Sequence, residues 1–269
     1  MDLAARLKAA GQPYVLATVV RTVSATAAKA GAKAVIQADG TISAGWIGGG
    51  CARGAVLRAA GEALEDGRPR LISVQPEDLL DAQGVRAGDE RDGIRFLRNM
   101  CPSKGTMDIF IEPVLPLPEL VVWGASPVAA ALADFAPRFD FQVTTCAEAG
   151  AQPADATAAG PTGGTAVEAA PGCRRYRVVA TQGRGDEAAL RAALAAPADY
   201  VAFVGSRAKT ESLREKLVDG VPKARLDSLH APAGLDIGAI TPEEIALSIL
   251  AEMVAHRRRG QRTAAAQDA

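Results

Sequence analysis

The sequence predicts an α/β protein in which an N-terminal mixed α+β domain is followed by a C-terminal Rossmann-like domain with a doubly wound parallel sheet. Short β-branched runs with hairpin signals fill the first part of the chain, whereas strand, turn and helix patterns alternate in the second. Three prolines in residues 113–118 separate the two patterns, because proline removes an amide donor and extends the residue before it. We therefore expect domains at residues 1–115 and 119–260, followed by a disordered tail at 261–269.

Five β-branched or alternating runs predict the strands of the first domain: residues 13–22, 31–38, 41–47, 69–75 and 105–114. Asp39-Gly40 is a hairpin signal between the second and third of them. Residues 52–64 place alanine and valine at helical spacing and predict a helix with a small-residue buried face. The polar segment that contains Gly84, Gly88 and Gly93 predicts a loop.

In the second domain, four short apolar runs predict parallel strands: residues 119–123, 141–145, 176–180 and 200–204. Helices are expected between them, from Pro127 to about Phe135 and over residues 187–195 and 209–218, and a last helix begins after Thr241. Ser126 before Pro127, and Thr241 with Glu244, have the spacing of helix caps. Residues 149–172 are small and polar and predict a flexible loop.

Composition excludes several classes of function. The 269 residues are 48% hydrophobic and 4% aromatic, and 30 basic against 31 acidic side chains leave a formal charge of -1. A nearly neutral chain with few aromatic residues is not built to hold nucleic acid through its phosphates or by base stacking. No apolar run reaches the length of about 18 residues that a membrane span needs, and no signal peptide begins the sequence, so we expect a cytoplasmic protein.

The four cysteines are scattered without a C-x-x-C pair, which argues against a zinc knuckle or a redox dithiol: Cys51, Cys101, Cys146 and Cys173. His230 and His256 are too few and too far apart in the sequence to suggest a histidine metal site. Cys101 lies in a loop before a strand, whereas Cys146 and Cys173 are expected to be structural or neutral.

The run Gly48, Gly49, Gly50 and Cys51 follows a strand and opens a helix. Bare backbone at a helix start attracts anions such as phosphate, and a cysteine there is favoured as thiolate, which ligates soft metals. A tight turn with a small buried thiol fits the same residues equally well.

A second set of candidates follows the strands of the Rossmann-like domain, where ligands bind doubly wound sheets. Gly124 begins a run that resembles a dinucleotide fingerprint, but Ser126 replaces its second glycine and Ala129 its third, which argues against NAD(P). Ser206 and Arg207 follow a later strand and could hold a phosphate together with Lys209. Asp236 lies between two glycines further on; taken singly, each of these residues also fits a purely structural role.

At these residues the chain resembles the XdhC/CoxI family of accessory proteins for molybdenum hydroxylases. The resemblance rests on residues 17–21 and 31–33, on the Gly-Gly-Gly-Cys run, and on Cys101 with residues 110–113. In the second half it rests on these segments: residues 123–125, 205–207, 232–238, 241–245 and 249–252. Residues 24–30 lack the proline-containing stretch of many relatives, and this departure resembles the branch associated with carbon monoxide dehydrogenase.

The resemblance implies a factor that binds molybdenum cofactor, as molybdopterin or its cytosine dinucleotide, and delivers it to an apo-hydroxylase of the xanthine dehydrogenase or carbon monoxide dehydrogenase type. It implies Cys51 as the contact to molybdenum or its terminal sulfur, Cys101 as a second thiol, and the amides of residues 48–50 as phosphate donors. Lys33 would add a cation. A cysteine desulfurase is an implied second partner, and a homodimer is an expectation.

A carrier of this kind is expected to perform no catalytic turnover. Two other functions stay open at this stage: an NAD(P)-dependent oxidoreductase, and a protein-binding scaffold through which no cofactor passes.

Overall fold

The computed structural model describes residues 2–101, 104–147, 157–159 and 173–259. The described residues up to Pro116 form one compact unit, and those from Leu117 onward form a second. The predicted tail and most of the predicted loop at 149–172 lie outside the described residues. Of the helices in the described ranges, none is both long and apolar enough to cross a membrane.

The N-terminal unit is built on a seven-stranded sheet with the order β3-β2-β1-β7-β4-β6-β5. Neighbouring strands are antiparallel except β4 and β6, which are parallel. Its elements are α1 (Asp2–Ala9), β1 (Tyr14–Val23), β2 (Lys33–Gln37), β3 (Ile42–Gly45), α2 (Gly50–Asp66), β4 (Arg70–Gln75), α3 (Glu77–Ala82), β5 (Glu90–Arg91), β6 (Ile94–Arg98) and β7 (Thr106–Val114).

Alternation along β1 explains how this sheet is covered on both faces. Val15, Ala17 and Val19 are fully buried in the cluster that includes the α2 face, whereas Tyr14 packs with Leu7 of α1 on the other side. The buried residues of α2 are mostly alanine, as predicted from their spacing: Ala52, Ala55, Val56, Ala59, Ala60 and Ala63. Small side chains bring the helix axis close to the strands, so the start of α2 lies near the sheet.

The segment predicted as a loop after β4 instead contains α3, β5 and β6. Leu80, Val85 and Phe96 form a small buried cluster there. In β6 the charged residues Arg95 and Arg98 flank Phe96 and Leu97. Arg95 and Arg98 pair with Glu62 and Glu77 at 2.5 and 2.8 Å. Elements this short and this charged lack a clear periodic pattern, and pairing with β4 and β5 makes β6 a strand.

The C-terminal unit has a six-stranded sheet with the order β10-β9-β8-β11-β12-β13. All neighbours are parallel except the edge strand β10, which is antiparallel to β9. Its elements are β8 (Glu119–Trp123), α4 (Pro127–Phe135) with a 3-10 turn at Ala136–Phe139, β9 (Gln142–Cys146), β10 (Thr157–Ala159), β11 (Arg175–Val179), α5 (Asp186–Leu194), β12 (Tyr200–Phe203), α6 (Arg207–Leu217), α7 (Lys223–Asp227), β13 (Leu229–His230) and α8 (Pro242–Arg258).

Helices cover both faces of this sheet. Leu132 of α4 and Ile249 of α8 belong to one buried cluster, and Leu190 of α5 and Leu213 of α6 belong to the other. The predicted fold class, with a doubly wound parallel sheet in the second half, is therefore confirmed. The elements α7 and β13 were not predicted, because each spans five residues or fewer and so shows no periodic pattern.

The predicted helix caps are present. The Ser126 hydroxyl accepts the Ala129 amide at 3.1 Å, and Thr241 and Glu244 form a reciprocal capping box at the start of α8.

One carboxylate ties α8 to the sheet. Glu252 accepts hydrogen bonds from the Tyr200 hydroxyl at 2.8 Å and from the Gly234 amide at 2.7 Å, and its other oxygen lies 2.7 Å from Nδ1 of His230. Burial alone would raise the pKa of Glu252, but these three partners stabilise the anion and lower its pKa from 4.5 to about 2. Burial of Tyr200, and then the same carboxylate, raise the pKa of that phenol.

We predict that Glu252→Gln lowers the free energy of unfolding at neutral pH by about 2 kcal/mol. A carboxylate whose folded-state pKa is depressed contributes stability above its unfolded pKa, and that contribution is lost as pH falls from 4.5 toward about 2. Urea unfolding of wild type and variant at several pH values measures this, and the stability difference should shrink steadily across that window.

Glu243→Gln, at an exposed position of α8, is the matched control and should change stability by no more than about 0.5 kcal/mol. A stability gap between wild type and Glu252→Gln that stays constant down to about pH 2 would contradict the assigned role of the carboxylate.

Candidate functional site

A pocket of about 370 Å³ lies beside the start of α2 in the N-terminal unit. Its volume falls within the usual range for small-molecule sites, roughly 300–1,000 Å³. Three loops, two strands and the first turn of α2 line it: residues Ala25, Thr26, Ala27, Gly48, Gly49, Gly50, Ala52, Val74, Asn99, Cys101, Gly105 and Met107. The structure thus brings together two features that are fifty residues apart in the sequence, the glycine run and the Cys101 loop.

The start of α2 is open to an anion. Gly49 occupies the N-cap position without a side chain to bond the first amides, and the first turn carries no acidic residue. The positive end of the helix dipole is therefore neutralised by neither a cap nor a carboxylate. Cys51 is the second residue of α2, and its side chain lies outside the described part of the structure.

The Cys101 loop is held by Asn99. The Asn99 side chain donates to the Gly105 carbonyl at 2.6 Å and accepts the Cys101 amide at 2.9 Å, so one amide group closes the loop at both ends. Cys101 is exposed and forms no disulfide. The backbone amide of Asn99 also donates to the Gln75 carbonyl at 2.6 Å, which anchors the loop to the end of β4.

Two lining residues, Gly105 and Ala25, lie against each other through their backbones. A Cβ atom on Gly105 would lie 2.2 Å from the Ala25 carbonyl oxygen, so only glycine fits where β7 begins. Ala25 forms an isolated bridge to Lys104, which pairs with Asp78 at 3.0 Å and, through that contact, lowers the pKa of the Asp78 carboxyl.

No charged side chain is among the described lining residues. Lys33 lies in β2 with an exposed side chain and is not among the residues that line the pocket. The groups that can hold an anion in the pocket are therefore backbone amides at the start of α2, against walls that are mostly apolar.

The candidates of the C-terminal unit lie at the carboxyl ends of its strands. Gly124 follows β8 and packs against the Ala180 carbonyl, and Ser126 caps α4. Ser206 caps α6 by accepting the Lys209 amide at 3.3 Å. Arg207 and Asp236 are exposed. The hydroxyl oxygens of both serines accept backbone amides at the starts of helices, so both serines have a structural role.

Lys209, a candidate phosphate ligand beside Ser206, is instead engaged by a buried carboxylate. Its ammonium lies 2.5 Å from Asp186, which also accepts from the Gly183 amide at 3.1 Å and from the Thr181 hydroxyl. Burial opposes ionisation of Asp186, but these donors, the lysine first, lower its pKa. The pair fixes the loop between β11 and α5, whose N-cap residue is Gly185.

The two histidines, expected to be isolated, lie side by side. The rings of His230 and His256 are 5.8 Å apart, and that of His230 lies 4.5 Å from the ring of Tyr200. Burial, with His230 nearby, lowers the pKa of His256. Their contact comes from packing α8 against β13, and no local sequence signal predicts it. Within the described ranges, no group of three or more histidine, cysteine or acidic side chains is arranged to hold a metal.

Fold and site together define a two-unit protein that combines a glycine-lined pocket in a mixed-sheet unit with a Rossmann unit. In comparison with protein families, the XdhC Rossmann domain matches residues 120–253, and the XdhC and CoxI family matches residues 7–75. The chain belongs to the XdhC and CoxI family, as its motifs predict.

Two individual proteins are similar over most of the chain. The uncharacterized protein YqeB of Escherichia coli (strain K12) is 31% identical over 263 residues, which cover 93% of this chain and 45% of that relative. The chain therefore spans less than half the length of that protein. A crystal structure described as a xanthine dehydrogenase from Bacillus halodurans is 19% identical, with a TM-score of 0.40, and the match covers 96% of each chain.

We predict that Asn99→Ala opens the Cys101 loop, because it removes both the donor to Gly105 and the acceptor for the Cys101 amide. Alkylation of Cys101, followed by peptide mass spectrometry, should become about threefold to tenfold faster, as expected when net hydrogen bonds of about 1 kcal/mol are lost. Asn99→Asp keeps the acceptor alone and should give an intermediate rate. Equal rates in all three proteins would show that Asn99 does not restrain the loop.

Proposed function

We propose that this chain binds molybdenum cofactor in its N-terminal pocket and delivers it to an apo-hydroxylase of the xanthine dehydrogenase or carbon monoxide dehydrogenase type. Membership of the XdhC and CoxI family supports a role in the maturation of such enzymes. The observation that carries the proposal is the convergence of the uncapped start of α2 and the Cys101 loop on one pocket.

The residues of the pocket fit the chemical groups of this cargo. The amides of residues 48–50 are suited to the pterin phosphate, because backbone donors and the helix dipole act together at a helix start. Cys101 lines the pocket and Cys51 follows the glycine run in the sequence, and cysteine sulfur is a ligand type that suits a soft metal centre.

The apolar walls have a protective role in this proposal. Ala25, Val74 and Met107 present hydrocarbon or thioether surface to the pocket. Such walls lower the contact of a bound cargo with water. A cargo whose phosphate is held by backbone amides, without fixed cationic side chains, can also be released to a client with stronger donors. The protein then acts as a carrier that accepts sulfurated cofactor, with a desulfurase as second partner.

We predict that the chain, when co-produced with the enzymes of cofactor synthesis, carries molybdenum and pterin in nearly equal molar amounts. Cys51→Ala should lower both at least severalfold, because the metal loses a ligand. Elemental analysis and pterin quantification measure the two contents in the same sample, and mixing the loaded protein with apo-hydroxylase measures delivery by the activity gained.

Cys173→Ala is the matched control, since Cys173 lies in the other unit, where its thiol hydrogen-bonds the Leu117 carbonyl at 3.4 Å. It should retain the wild-type content. Wild-type protein without molybdenum or pterin would contradict cofactor binding. Loaded protein that docks to apo-hydroxylase but never activates it would favour the scaffold function instead.

A further inference from the structure

The chain has two tryptophans, and they differ completely in environment. Trp123 in β8 is fully buried, whereas Trp46 is 56% exposed. The Trp46 amide donates to the Lys33 carbonyl at 2.9 Å, which fixes the backbone, and the next residue, Ile47, is fully buried in the core. With Ile47 facing the core, Trp46 presents its indole outward. A large aromatic ring kept at the surface by a rigid backbone is a common feature of binding sites.

The indole lies beside a residue that lines the pocket, although Trp46 is not itself among the lining residues. Cη2 of Trp46 lies 3.9 Å from the position that a Cβ atom on Gly49 would take, and Gly49 is a lining residue. Gly49 has no side chain, and among the described residues beyond its chain neighbours the indole is the only group within 4 Å of the position where its Cβ atom would lie. Met100, 71% exposed, precedes the lining residue Cys101 on the loop of the same pocket.

These surfaces discriminate between kinds of ligand. A bare oxyanion such as molybdate or phosphate gains nothing from an indole face or from walls of alanine, valine and methionine. A flat heteroaromatic ring gains stacking and dispersion from both, in addition to the amides that hold its phosphate. The arrangement therefore suits a ligand that joins a planar ring to an anionic group.

We propose that Trp46 stacks on the pterin ring of the cargo at the pocket edge and thereby selects ring-bearing ligands over bare oxyanions. This inference rests on the proposed function, since it assigns the ring of the same cofactor to the same pocket. Trp46 binds the ring directly, and Gly49 leaves the space through which the ring and the indole meet.

Fluorine NMR of protein labelled with fluorotryptophan tests the contact directly. The two tryptophans give two resonances, which Trp46→Phe assigns. A stable oxidised pterin that carries a phosphate monoester is the probe, with inorganic phosphate and molybdate as separate additions. The Trp46 resonance should shift with the pterin phosphate and with neither inorganic ion, while the resonance of buried Trp123 stays in place.

Calorimetry gives the matching affinities. Trp46→Ala should bind the pterin phosphate about tenfold more weakly than wild type, and Trp46→Phe, which keeps an aromatic face, about twofold to threefold more weakly. Gly49→Ala, at a backbone φ of -109° that alanine adopts readily, adds a methyl group 3.9 Å from the indole and should also weaken binding. Because Trp46 is exposed, we expect its variants to fold as the wild type does. Thermal unfolding of each variant checks this.

The outcomes separate the two proposals. If wild type binds the pterin phosphate while Trp46→Ala binds it equally well, or while the Trp46 resonance stays fixed, the stacking inference is overturned and the proposed function stands. If wild type binds no pterin phosphate and carries no cofactor after co-production, both are overturned. Inorganic molybdate is the remaining comparison. If it also shifts the Trp46 resonance, and if Trp46→Ala also weakens its binding, selection of ring-bearing ligands is overturned.

Discussion

Close backbone approach at Gly105 is the constraint on which the candidate site depends. The strand β7 starts so near to the chain at Ala25 that a methyl group on residue 105 would lie 2.2 Å from a carbonyl oxygen. This contact sets the loop after β1 against the loop that carries Cys101. The small residues of α2 bring the third component, the helix start, to the same place, because alanines let the helix lie close on the sheet. The pocket exists where these three segments converge.

The start of α2 differs from the helix starts of the C-terminal unit that carry candidate residues, because it has neither a side-chain cap nor an acidic first turn. In the C-terminal unit, Ser126 and Ser206 cap α4 and α6, and Asp186 bonds the loop before α5 and neutralises Lys209. These groups are satisfied within the fold. In the N-terminal unit, Gly49 leaves α2 without a side-chain cap. Unsatisfied donors at the end of a long helix, next to an apolar pocket, are what an anionic ligand can use.

Features with a local cause were predictable from the sequence. The α2 face follows from its alanine spacing, the starts of α4 and α8 from their cap residues, and the Rossmann unit from alternating strands and helices. The approach of Cys101 to the glycine run was not predictable from spacing, since it depends on strand order across the sheet. The same holds for Glu252, which joins Tyr200 to His230 through packing of α8. Trp46 also carried no local signal, because its exposure depends on the buried neighbour Ile47 and on bare Gly49.

Hydrogen–deuterium exchange on cofactor-loaded and cofactor-free protein tests most directly whether the cargo lies in the N-terminal pocket. The account predicts slower exchange on loading in peptides that contain residues 24–28, 46–52 and 99–107, and unchanged exchange in peptides that contain residues 124–129 and 205–209. Protection confined to the latter two segments would contradict it, because the cargo would then lie at the strand ends of the Rossmann unit.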